Sequence, residues 1–162
     1  MIHKLLDAFA TDEAQAHCDV PCGIYDPHLA QVAALTVIRM IDMMTDLATA
    51  HKEHDLEYFN SITRYVAVKE EHAELVKREV RVIFGDYIKK EHVDKYPELP
   101  ELVHKIFQFG SKARQTTSRD SALQLLGLVN RFAEIYWETK GIATKKVKAP
   151  YKPGEEITYP VL

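Results

Sequence analysis

The sequence predicts an all-α protein: an antiparallel up-down-up-down four-helix bundle, with a short cysteine-bearing segment ahead of it and an extended tail behind. Three observations predict this. Long stretches carry apolar residues at helical spacing, the connections between them are short and polar, and strand signals are weak throughout. The chain has 162 residues with 46% apolar side chains, enough for one domain with a real core.

The first helix is expected from Leu29 to about Ala50, on Leu29, Val32, Ala33, Val37, Met40, Met44 and Leu47, with no Pro or Gly inside. A polar break at His51–Asp55 precedes a second run from Leu56 to Lys90, carrying Ile62, Tyr65, Val66, Leu75, Val76, Val80, Ile83, Phe84 and Tyr87. Gly85 is a point where that run can bend. Tyr96-Pro97-Glu98-Leu99-Pro100 signals a turn. A third helix spans Glu101–Lys112, with Leu102, Val103, Ile106 and Phe107. After the capping residues of Thr116–Asp120, the fourth spans Ser121–Lys140, with Leu125, Leu126, Val129, Phe132, Tyr136 and Trp137. Residues 141–162 hold Pro150, Pro153 and Pro160 and read as extended. Their Ile157, Tyr159, Val161 and Leu162 favour packing on the bundle or on a neighbouring subunit over disorder.

Several function classes find no support. No apolar run approaches the roughly 18–20 residues of a membrane span. The net charge of −3 does not point to nucleic acid. No Ser/His/Asp arrangement, phosphate loop or basic aromatic patch is present.

Residues 1–16, MIHKLLDAFATDEAQA, are expected to be a leader removed on maturation. Ala14-Gln15-Ala16 looks superficially like a signal-peptidase site. The apolar stretch, however, is short and broken by Asp7, unlike the about 7–15 apolar residues of a secretory signal. A cytoplasmic protein is therefore expected. Its domains are the leader, residues 17–140 with the cysteine segment and bundle, and the tail 141–162.

The only cysteines are Cys18 and Cys22. Two cysteines do not make a disulfide scaffold, and their three-residue separation is not the thioredoxin spacing. Taken alone, the pair is weak evidence, as often structural as functional, and its bland readings are a local disulfide or a thiol redox pair. Cleavage before His17 changes the chemistry. A free amino terminus, with an ordinary pKa of about 7.7–8.0, offers an amine nitrogen. The next peptide nitrogen and the Cys18 thiolate then close two fused chelate rings, and Cys22 returns a second thiolate. Two nitrogens and two sulfurs in a plane favour Ni(II) or Cu(II) over tetrahedral Zn(II). The His17 imidazole is left to approach an axial position. Electron-rich thiolate and amidate donors stabilise Ni(III), which a metal that alternately oxidises and reduces a substrate requires. Pro21 restricts the turn and Gly23 permits a backbone closed to other residues. Tyr25 lies three residues beyond Cys22, near the open face of such a site.

The run HCDVPCGIYDP, His17 to Pro27, resembles the amino-terminal motif of nickel superoxide dismutases. Weaker likeness continues through Lys69-Glu70, Ala73-Glu74-Leu75, Asp86-Tyr87, Lys95–Leu99 and Trp137–Lys140, so that it covers residues 16–140. The resemblance implies one nickel ion per subunit, held by the His17 amine and imidazole, the Cys18 amide and thiolate and the Cys22 thiolate. It implies that Tyr25 shapes access and that Asp19 supports the hook. It further implies superoxide as substrate, a homohexamer and a maturation protease. The sequence departs from the family where members place a Glu and an Arg around the histidine ligand: here those positions hold Ala33 and His72. A non-catalytic nickel or copper storage or delivery protein is the alternative reading.

Overall fold

A computed structural model describes residues 23–51 and 54–162. His17, Cys18, Asp19, Pro21 and Cys22 lie outside the described residues. Helix α1 spans His28–Ala50. Its start is marked by Asp26, whose carboxylate accepts the His28 amide at 2.8 Å. The buried face runs through Ala30, Ala34, Ile38 and Ile41, flanked by Ala33, Val37 and Met44. The expected stripe was therefore rotated: Leu29 is exposed and Val32 and Met40 are only half-buried, because the small alanines let the neighbouring helices approach that side.

Helix α2 spans Leu56–Val82 and is capped by Asp55, which accepts the Tyr58 amide at 2.8 Å. Its buried line is Lys69, Ala73, Val76 and Val80, at spacings of three and four. The helix does not run on to Lys90 as expected. It widens into a π-turn over Ile83–Tyr87 around Gly85, with the Ile88 amide bonded to the Ile83 carbonyl at 3.1 Å. Ile88 is extended, and a separate short helix α3, Lys90–Lys95, follows.

Helix α4, Leu99–Gln115, begins earlier and ends later than expected, since Pro100 occupies its first turn, where a missing N–H costs nothing. The Lys69 ammonium closes its far end, donating to the carbonyls of Ala113 at 2.8 Å, Arg114 at 2.5 Å and Thr116 at 3.0 Å. All three N–H bonds of that cation are thus used on carbonyls a helix leaves open. Helix α5, Arg119–Thr139, is capped by Ser118. It buries Leu125, Val129, Phe132 and Tyr136, and it stops at Gly141, whose φ of 72° permits the Ile142 amide to reach back to the Trp137 carbonyl.

Helices α1, α2, α4 and α5 pack as a ring, each against its sequence neighbours and α5 against α1, which is the expected antiparallel bundle. The extended tail is organised as a β-hairpin, with β1 (Thr144–Lys148) antiparallel to β2 (Glu156–Pro160) and Lys145 opposite Tyr159. It packs on α1 and α5, burying Ala149, Ile157 and Thr158. The outer edge of β2 meets side chains in place of a third strand. Asn130 donates to the Glu156 carbonyl at 2.8 Å and accepts the Thr158 amide at 3.3 Å, and Gln31 donates to the Thr158 carbonyl at 3.1 Å. Two carboxamides thereby satisfy a backbone edge that burial would otherwise leave open.

Candidate functional site

The described chain begins at Gly23, directly after Cys22. Gly23 has φ of 72°, the left-handed region that disfavours any side chain. Two residues on, the Tyr25 carbonyl accepts the Tyr136 hydroxyl at 2.5 Å. This bond joins the root of the N-terminal segment to the last turns of α5.

Tyr25 belongs to an aromatic cluster. Its ring lies 5.8 Å from that of Tyr87, which lies 5.0 Å from Tyr136 and stacks on His92 at 5.3 Å. Tyr87 also pairs its hydroxyl with Thr139 at 2.8 Å. The Lys140 ammonium stands 4.7 Å above the Tyr87 ring and 5.3 Å from that of Tyr136. Tyr136 is almost fully buried. Burial chiefly, with added effects from Tyr87, Asp26 and Tyr25, pushes its phenol well above the usual tyrosine range. It therefore stays protonated and keeps donating to Tyr25.

Beside the root, a cleft is lined by Ile24, Tyr25, Asp26, Leu29, Glu79, Val82 and Ile83. Glu79 is a buried carboxylate there, paired at 3.3 Å with the exposed Arg78. Neither Ala33 nor His72 lines this cleft. Ala33 is sealed in the core, and His72 binds the Val68 carbonyl of its own helix through Nδ1 at 2.9 Å. Tyr87, His92, Tyr136 and Lys140 were not singled out as site residues from the sequence. Tyr87 comes from the π-turn, His92 from α3, and Tyr136 and Lys140 from the end of α5. Tyr87 and Lys140 lay in runs with family likeness, which was the available signal.

Among the described residues no three His, Cys, Asp or Glu side chains gather as a metal-ligand set. The donor set that suits nickel is the one in the sequence before Gly23: two thiolates four residues apart, behind a histidine. The root fits that set, because Gly23 adopts a left-handed backbone directly after Cys22 and Tyr25 is pinned to the bundle.

Fold and site define a four-helix bundle whose first helix follows closely on a Cys-X3-Cys segment and starts beside a tyrosine cluster. Residues 12–140 match the family described as nickel-containing superoxide dismutase. The superoxide dismutase [Ni] of Streptomyces coelicolor is 35% identical over 125 residues, covering 77% of this chain and 88% of that protein. That of Streptomyces seoulensis is 33% identical over 128 residues, covering 79% and 91%. A native nickel superoxide dismutase structure superposes with a TM-score of 0.67 at 35% identity, covering 76% of this chain and 99% of its own. An apo form gives 0.64 at 32% identity, covering 74% and 99%. This chain belongs to the nickel-containing superoxide dismutase family, oxidoreductases that act on superoxide. The resemblance drawn from the hook is borne out, and metal storage or delivery is not favoured.

Proposed function

We propose that this chain converts two superoxide ions and two protons into dioxygen and hydrogen peroxide at a nickel site on residues 17–22, exposed by cleavage of the Ala16–His17 bond. The ligands are the His17 amine and imidazole, the Cys18 amide nitrogen and thiolate, and the Cys22 thiolate, with one nickel per subunit. Bound there, nickel supplies a one-electron Ni(II)/Ni(III) couple. The chain's own residues do the rest. Gly23 lets the segment turn sharply onto the bundle. Tyr25, fixed through its carbonyl by Tyr136, limits the space beside the site and keeps a small anion near it. Asp19 and Pro21 hold the shape of the loop. The observation that carries this reading is the extent of the family match, which includes both cysteines and the whole anchoring cluster.

Domain roles follow: leader 1–16, functional unit 17–140 and hairpin 141–162. The family resemblance carries the further readings of a homohexamer and a maturation protease. Exposed Ile24, Leu56 and Phe59 support self-association. No helix among the described residues is long and apolar enough to cross a membrane. The interrupted leader supports a cytoplasmic location.

The test is to mature the chain with nickel and measure metal content and superoxide decay. About one nickel per cleaved chain with dismutase activity is expected, and Cys18→Ser or Cys22→Ser should abolish activity. A cleaved, nickel-loaded chain without activity contradicts the proposal.

A further inference from the structure

The family match ends at residue 140, and the hairpin lies beyond it. Residues 141–162 carry four lysines against two glutamates in a chain that is acidic overall. The hairpin is also fixed in place: Asn130 and Gln31 bind the outer edge of β2. Its charges therefore hold a defined position relative to the bundle.

We propose that Lys145 guides the superoxide anion to the root of the N-terminal segment, with Lys140 beside it. Lys145 lies opposite Tyr159, and cross-strand partners project from the same face of a hairpin. The Tyr159 ring sits 5.4 Å from that of His28, the first residue of α1 and three residues beyond Tyr25. Lys145 is exposed and forms no ion pair among the described residues, whereas the adjacent Lys146 is neutralised by Glu134 at 3.3 Å. Lys140 likewise has no carboxylate partner among the described residues, and it stands over Tyr87 and Tyr136, in the cluster that anchors Tyr25. Two unneutralised cations thus flank this end of the bundle. An anion approaching within a Debye length, about 8–10 Å in ordinary buffers, feels their field. Local positive charge raises the encounter rate of a small anion even where the net charge of the protein is negative.

Lys148 provides an internal control. It is on the same strand, is also exposed and lacks an ion pair among the described residues, but lies three residues further on, about 10 Å away. The inference rests on the dismutase reading, so its test has one arm that does not. In the cleaved, nickel-loaded protein, Lys145→Glu should lower the second-order rate constant for superoxide about threefold at low ionic strength. Added salt should close that gap, and Lys148→Glu should have less than half the effect. In the uncleaved, metal-free chain, the single tryptophan, Trp137, reports the local field. Lys145→Glu should reduce its quenching by iodide while leaving quenching by neutral acrylamide unchanged. Equal effects of the two variants, a loss that persists at high salt, or unchanged iodide quenching would overturn the guidance role. An inactive wild type that still shows the iodide shift would overturn the dismutase reading and leave the anion-guiding surface standing.

Discussion

Towards one end of the bundle the Lys69 ammonium gives all three of its N–H bonds to carbonyls at the end of α4; at the other, Tyr136 gives its one hydroxyl to the carbonyl of Tyr25. Both are buried polar groups satisfied by backbone. The lysine closes a helix end within the scaffold, so every bond it makes serves the fold. The tyrosine fixes a single point in the segment that enters α1, and it sits in a cluster with Tyr25, Tyr87 and Lys140. The difference separates a stabilising device from a positioning one, and substitutions at the two ends should separate in the same way.

The largest stability effect is expected at Lys69. Lys69→Met removes the donor from three carbonyls and should cost about 3 kcal/mol in chemical denaturation. The nickel spectrum of the protein that remains folded should be unchanged. A perturbed spectrum would break the contrast between the two ends. Next comes the hairpin seam. Asn130→Ala strips partners from the Glu156 carbonyl and the Thr158 amide and should cost about 2 kcal/mol. Protease cleavage within residues 141–162 should accelerate, and a protection pattern equal to wild type would contradict the role of the seam.

The smallest stability change belongs to Tyr136. Tyr136→Phe should cost about 1 kcal/mol at neutral pH. Its distinctive effect lies in alkali. The folded-state phenol titrates above its ordinary value of 10.0, so the unfolded chain loses that proton first. The contribution of Tyr136 is fully present below pH 10.0 and is lost as pH rises from there towards the raised value. Denaturation midpoints followed upward through that window should fall more steeply for wild type than for Tyr136→Phe. Identical slopes would show that Tyr136 is not held neutral by the fold.

How legible these features were in the sequence depends on how local each is. Helices α1, α2, α4 and α5 announce themselves through runs of apolar residues at spacings of three and four. The π-turn was hidden because Ile83, Phe84 and Tyr87 continue the helical pattern through Gly85, and only the i+5 bond from Ile88 shows the change of pitch. The hairpin was hidden because β1 is almost all lysine and threonine around Val147, and the burial that stabilises β2 comes from Asn130 and Gln31 on distant helices. The proposed nickel ligands lie within six consecutive residues and could be read directly. The cluster that anchors their root joins Tyr25, Tyr87 and Tyr136 from three parts of the chain, so pattern alone does not reveal it.

The central claim is that a latent segment becomes a nickel enzyme when His17 gains a free amine. Its most direct test compares uncleaved and Ala16-cleaved chains under the same nickel supply, reading bound nickel and superoxide decay together. About one nickel per cleaved chain with dismutase activity is expected, and no activity in the uncleaved chain. Full activity before cleavage, or a nickel-loaded cleaved chain without activity, would contradict it.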